Sequence, residues 1–71
     1  MEMYEVIKNI RKELNISQTE FAHAVHVSFS TVNRWENDRV KPNRLAKVTI
    51  IEYCKKQNVS KSLIDNLQDF E

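Results

Sequence analysis

No glycine occurs anywhere in this chain of 71 residues, and Pro42 is its only proline. Glycine-rich phosphate-binding loops and hairpins with Asn-Gly or Asp-Gly turns are therefore excluded. No segment sustains the alternation of apolar and polar residues that is typical of a strand. These observations favour an all-α fold.

Three serines mark helix starts. Each follows an aliphatic residue and lies four positions before another apolar one, the pattern of an N-cap with a hydrophobic staple; they are Ser17, Ser28 and Ser60. A fourth start is marked by Pro42 at the first turn or by Asn43 as the cap. With the apolar periodicity, these signals predict a compact five-helix bundle with helices over 2–14, 18–25, 28–36, 43–57 and 60–70.

Size and composition limit the classes of protein. A mass of 8.4 kDa fits one domain spanning residues 1–71. No apolar stretch approaches the roughly 18 residues of a membrane span, so no membrane association is expected. The single cysteine, Cys54, excludes an internal disulfide and a cysteine-based metal framework. A small domain without disulfides is expected in the cytoplasm.

The charges are unevenly distributed along the chain. Residues 34–61 carry eight basic and three acidic side chains, a net charge of +5, whereas the last ten residues carry three acids and no base. This asymmetry indicates a basic face in the middle of the chain and an acidic end kept away from it. The alternative is an ordinary solvated helical surface.

The second and third predicted helices are joined only by His26 and Val27. Such a short connection forces the sharp bend of a helix-turn-helix. If Val32 and Trp35 are buried, the outer side of the third helix carries four residues suited to base edges and thymine methyl groups: Phe29, Ser30, Asn33 and Arg34. The alternative is a polar helix face without a binding role.

The segment SQTEFAHAVHVSFSTVNRWENDRVKP is similar to the helix-turn-helix of the phage repressor and Cro family, also called XRE-type. The resemblance covers about residues 5–57. It implies a lambda repressor-like fold, a recognition helix in the major groove of double-stranded operator DNA, and dimers on two half-sites. The family often has glycine where this chain has His26 and Asp38, so both positions are expected to need a positive φ.

The resemblance also implies roles for individual residues. The base-reading positions are Gln18, Phe29, Ser30, Asn33 and Arg34. The phosphate-facing positions are Ser28, Thr31, Asn37, Arg39 and Lys41, and the basic run continues through Arg44. Arg11 and Glu36 are expected to form a partly buried, structural ion pair.

Other chemistry finds little support in the sequence. His23 and His26 have a spacing that could hold a metal, but no nearby carboxylate or cysteine completes a set. Cys54 is expected to be a small buried hydrophobe, and Trp35 a core residue. The chain has no oxyanion device and little room for a cleft. We therefore expect no enzymatic activity, metal, cofactor or small-molecule ligand.

Two classes of function remain. The first is a sequence-specific DNA-binding regulator of the Cro or repressor kind. Such a regulator would dimerise through the C-terminal helix, including Phe70, because the edges formed by residues 28–41 and the basic side of helix four are assigned to DNA. The second is a protein-interaction module on the same scaffold, such as an antitoxin or an anti-repressor partner.

Overall fold

The computed structural model describes residues 1–69. Its five helices are α1 (Met3–Leu14), α2 (Gln18–Ala24), α3 (Phe29–Glu36), α4 (Arg44–Lys56) and α5 (Lys61–Asp69). The described range contains no strand, and the predicted all-α fold is confirmed. Within this range no helix combines the length and the apolar character that crossing a membrane requires.

The predicted helix bounds differ from the observed ones by single residues at several ends, because the prediction counted flanking caps as helix. Side-chain caps open three of the helices. Ser17 Oγ accepts from the Glu20 amide at 3.0 Å, and Ser28 Oγ accepts from the Thr31 amide at 3.1 Å. Asn43 Oδ1 accepts from the Ala46 amide at 2.9 Å, so Asn43 is the cap at the fourth start.

Four helices end in the same way, with a non-glycine residue in the left-handed conformation at φ between 57° and 63°. These residues are Asn15, His26, Asp38 and Asn58. After α2, the His26 amide donates to His23 O and the Val27 amide donates to Ala22 O, which is the Schellman arrangement. The positive φ expected at His26 and Asp38 is confirmed. Asn, His and Asp residues, which tolerate this conformation, therefore occupy the helix ends where glycine is the usual residue.

The core draws side chains from all five helices. Of the predicted α1 face, Met3, Ile7 and Ile10 are buried and Leu14 is partly buried; Val6 was not predicted but is fully buried. The predicted burial in α2 and α3 is confirmed for Phe21, Ala22, Val25, Val32 and Trp35. The core is completed by Ile50, Cys54, Val59, Leu63, Ile64 and Leu67.

Candidate nucleic-acid interface

The inner side of α3 is fixed by the turn that precedes it. The left-handed His26 reverses the chain, and the bond from the Val27 amide to Ala22 O, 3.0 Å long, ties the turn to α2. Val32 and Trp35 are then buried against the core. Because these two side chains place one side of α3 against the core, the opposite side of the helix faces outward.

The outward side of α3 and the residues after it line one shallow depression. Its lining consists of Phe29, Ser30, Asn33, Arg34, Asn37 and Arg39. The structure thus brings together four of the five predicted base-reading residues and two of the predicted phosphate-facing ones. Phe29, the first residue of α3, is 50% exposed beside these polar side chains.

The fifth predicted base-reading residue, Gln18, is half-buried and lies at the edge of this depression. Its Nε2 donates to Glu36 Oε1 at 3.1 Å, and its Oε1 accepts from Asn33 Nδ2 at 3.3 Å. Asn33 Oδ1 in turn accepts from Asn37 Nδ2 at 3.0 Å. We call these residues the amide chain: Gln18, Asn33 and Asn37. Gln18 therefore connects the start of α2 to the outer side of α3.

Arg11 and Glu36 meet at the inner end of the amide chain. Arg11 Nε lies 2.5 Å from Glu36 Oε2, and Arg11 Nη2 donates to Glu36 Oε1 at 2.7 Å. Arg11 Nη1 also donates to the carbonyl of Ile16 at 3.1 Å. The pair is bidentate, the geometry that gives an arginine–carboxylate contact its strength and its fixed orientation. It joins α1 to the end of α3.

The environment of this pair changes the pKa of both groups. Burial alone would raise the pKa of Glu36, but hydrogen bonds from Arg11 and Gln18 and the charge of Arg11 outweigh burial and lower it. The hydrogen bond to Glu36 raises the pKa of Arg11. Both shifts favour the charged forms, so the ion pair is the stable state at neutral pH.

Of the six predicted phosphate-facing residues, Asn37 ends the amide chain and the other five fall into two groups. The hydroxyls of Ser28 and Thr31 lie 2.9 Å apart at the start of α3, where helix amides favour an anion. Arg39, Lys41 and Arg44 are all exposed; the first two lie between α3 and α4, and Arg44 is the first residue of α4.

Arg39 departs from the pattern of the other helix ends. The residue that follows the left-handed position is aliphatic and at least partly buried in three cases: Ile16, Val27 and Val59. After Asp38 the same position holds the exposed Arg39, although its amide makes the same bond, 3.0 Å long, to Arg34 O. An apolar contact usually accompanies this motif. A cation occupies this position instead, beside the outward side of α3.

A family model described as Helix-turn-helix matches residues 7–55, a span that covers most of α1, all of α2 and α3, and nearly all of α4. The chain belongs to the XRE-type helix-turn-helix family. Membership in this family supports a DNA-binding regulator. Neither a curated protein nor a solved structure matches the chain.

The remaining candidates for chemistry in this XRE-type domain lie outside the depression on α3. His23 and His26 are exposed, and among residues 1–69 no three His, Cys, Asp or Glu side chains are close enough to hold a metal ion. Cys54 is fully buried, as predicted, and burial raises the pKa of its thiol to about 12. A thiol in this state is a poor nucleophile at neutral pH.

The XRE-type domain also exposes apolar side chains that the sequence reasoning did not single out. Leu45 is 76% exposed and Val48 is 45% exposed, three positions apart on α4, and Val40 precedes that helix at 47%. The sequence does indicate that some apolar side chains of α4 are exposed, because its apolar residues cover more of the helix than one buried stripe can include. We call Leu45 and Val48 the α4 patch.

Proposed function

We propose that this XRE-type domain is a sequence-specific transcription regulator that binds double-stranded operator DNA with α3 in the major groove. The observation that carries the proposal is the depression on α3, where Asn33 and Arg34 stand beside the half-exposed Phe29. Asparagine suits adenine, arginine suits guanine and phenylalanine suits the thymine methyl group. Few structural helices expose such a set without acidic residues among it.

The basic residues that flank α3 support the same proposal. Arg39, Lys41 and Arg44 are exposed on the stretch that follows the recognition helix. Phosphate contacts fix the register of a protein on DNA, and base contacts then provide the specificity. In this proposal the three cations and the start of α3 bind DNA phosphates on either side of the major groove. Action on DNA also agrees with the cytoplasmic location expected from the sequence.

A dimer is part of the proposal, because one short recognition helix reads only a few base pairs and a genome offers a vast excess of non-specific sites. Two copies on a two-fold axis would set their recognition helices about 34 Å apart, one helical turn of DNA. The predicted contact through the C-terminal helix depends on Phe70, which lies outside the described residues. Leu63, Ile64 and Leu67 of α5 are buried in the core of the single chain.

The α4 patch offers a second surface for this contact. In an antiparallel pair of α4 helices centred on the patch, Leu45 of one copy would lie beside Val48 of the other. Such a pairing puts the same apolar patch on both sides of a two-fold axis, as a self-complementary interface requires.

The alternative function is a protein-interaction module, such as an antitoxin or an anti-repressor partner. The exposed α4 patch is the observation that favours it, because an apolar patch can accept another protein as readily as a second copy. The two functions differ in their response to salt. A regulator that makes about five to eight phosphate contacts loses DNA affinity steeply as the salt concentration rises. A protein-interaction module does not bind DNA at any salt concentration.

Selection of binding sites from a random pool of duplex DNA tests the proposal. We expect enrichment of a two-fold symmetric site whose half-sites are one helical turn apart. At the same salt concentration, the enriched duplexes should bind the protein more tightly than duplexes of the starting pool. Their affinity should fall steeply between about 50 and 200 mM salt. A pool that remains random after several rounds would exclude sequence-specific binding and leave the protein-interaction function.

A further inference from the structure

The amide chain has a direction that the carboxylate of Glu36 determines. At neutral pH a carboxylate only accepts hydrogen bonds, so the Gln18 group that faces Glu36 must be its NH2. Gln18 Oε1 then faces Asn33, and an oxygen there requires the NH2 of Asn33 as its partner. Asn33 Oδ1 is left to accept from Asn37. One fixed charge thus sets the orientation of two further amides.

Reversing any one amide would break this order. If Gln18 turned over, its oxygen would meet the Glu36 carboxylate and its NH2 would meet the NH2 of Asn33. If Asn33 turned over, two oxygens would meet on one side and two NH2 groups on the other. An isolated exposed amide has no such preference, so its two orientations are equally open. Here the ion pair with Arg11 holds Glu36 charged and in place.

The hydrogen-bonding capacity left on Asn33 has a specific form. Its NH2 keeps one N–H after bonding Gln18, and Oδ1 keeps one lone pair after bonding Asn37. Adenine offers an acceptor, N7, beside a donor, the N6 amino group, in the major groove. One free donor next to one free acceptor complements that pair. A guanine, which offers two acceptors, leaves the oxygen of Asn33 facing another acceptor.

We propose that Gln18 and Glu36 are positioning residues that hold Asn33 in the orientation that reads adenine. This inference rests on the proposed function and assigns its specificity at one base pair. Gln18 acts through Asn33 and does not itself read a base. Glu36 acts through Gln18, so the ion pair that joins α1 to α3 also prepares the DNA-reading surface.

The test compares Gln18→Met with Asn33→Ala and with the double variant, on the selected site and on duplexes with each other base at the adenine position. Methionine is close to glutamine in length, makes no amide bond, and leaves the Arg11–Glu36 pair intact. We expect wild type to prefer adenine by about 5- to 150-fold. Gln18→Met should lose most of that preference and keep the preference at the base pair that Arg34 reads.

The double variant separates an indirect role from a direct one. If Gln18 acts through Asn33, adding Gln18→Met to Asn33→Ala causes no further loss of affinity. Additive losses would show that Gln18 contacts DNA itself and would overturn the proposal. His23→Ala is the matched control: His23 is an exposed residue of the same helix as Gln18, lies outside the lining of the depression, and should leave the adenine preference unchanged.

A measurement on the free protein tests the amide chain without DNA or variants. In wild type, one Nδ2 proton of Asn33 should exchange with water more slowly than its geminal partner, because only one is bonded to Gln18. Fast and equal exchange of both protons would overturn the inference even if the domain binds DNA. Slow exchange without any base preference would instead contradict the proposed function, so the two failures are distinguishable.

Discussion

Glu13 in α1 accepts a hydrogen bond from the backbone amide of Ser60, 47 positions later in the chain, with 2.5 Å between Oε2 and the nitrogen. Ser60 immediately precedes α5, and its carbonyl accepts from the amides of Leu63 and Ile64. A carboxylate at this position satisfies a backbone donor and interacts favourably with the positive end of the helix. The first helix therefore stabilises the start of the last one.

We expect Glu13→Ala to lower the free energy of unfolding by about 1 kcal/mol, the cost of losing a helix cap. Glu13→Gln should cost less, because the amide oxygen still accepts from Ser60 but carries no charge. Urea unfolding at neutral pH measures both. Asp65→Ala removes an exposed acid of α5 and is the control for net charge; equal effects at Glu13 and Asp65 would contradict the cap.

Removing Arg11 and removing Glu36 should lower the free energy of unfolding by different amounts. The Glu36 side chain is 2% exposed and the Arg11 side chain 22%. After Glu36→Ala, the arginine can reach water, whereas Arg11→Ala leaves a buried carboxylate with only Gln18 as a donor. We expect a loss of about 3 kcal/mol for Glu36→Ala and a larger loss for Arg11→Ala in urea unfolding at pH 7. A Glu36→Ala variant as stable as wild type would contradict the pair.

Acid should remove the contribution of Glu36. Its pKa is lowered in the folded state from the ordinary value of 4.5, so its stabilisation is complete above that value. The stabilisation is lost as pH falls through the lower, folded pKa. Wild type should therefore lose more stability than Glu36→Gln when the pH falls from 5 to 2. Parallel pH profiles for the two proteins would contradict the lowered pKa.

The left-handed helix ends predict gains from glycine. His26 has φ of 63° and Asp38 has φ of 57°, a region that costs a residue with a Cβ more than it costs glycine. We expect His26→Gly to raise the free energy of unfolding by about 0.5–1 kcal/mol, and His26→Ala to lower it. Thermal melts measure both changes. Stabilisation by alanine would show that this turn does not require a positive φ.

The helices and their ends could be predicted because their signals are local. A serine and the amide three residues later form a cap within one turn, and the turn residues that replace glycine lie next to each helix end. The outer side of α3 could also be predicted from the sequence, because burial of Val32 and Trp35 fixes by helical periodicity which other positions face outward.

The contacts between distant segments could not be predicted in this way. The bond between Glu13 and Ser60 and the bond between Gln18 and Asn33 depend on how the helices pack, and no local spacing encodes them. Similarly, the apolar residues of α4 did not reveal which would remain exposed. Leu45 and Val48 face outward because no described element covers that side, a fact of the tertiary structure.

The two candidate dimer surfaces can be separated by substitution. If copies meet through the α4 patch, Leu45→Ser with Val48→Ser should abolish self-association without loss of folding, because both side chains are already exposed. If they meet through the C-terminal helix, Phe70→Ser should do so instead. Sedimentation equilibrium and binding to full and half operator sites measure the outcome. Self-association that survives all three substitutions would contradict both surfaces.

The most direct test of DNA reading by α3 compares Arg34→Ala with Lys41→Ala on the selected operator and on a scrambled duplex, over a series of salt concentrations. Arg34→Ala should cost about 1–3 kcal/mol on the operator, relax the preference at one or two base pairs, and leave scrambled DNA nearly unaffected. Lys41→Ala should weaken both duplexes alike and reduce the salt slope by about one. Equal weakening of operator and scrambled DNA by Arg34→Ala would contradict the account, because it would make Arg34 a phosphate contact and not a base reader.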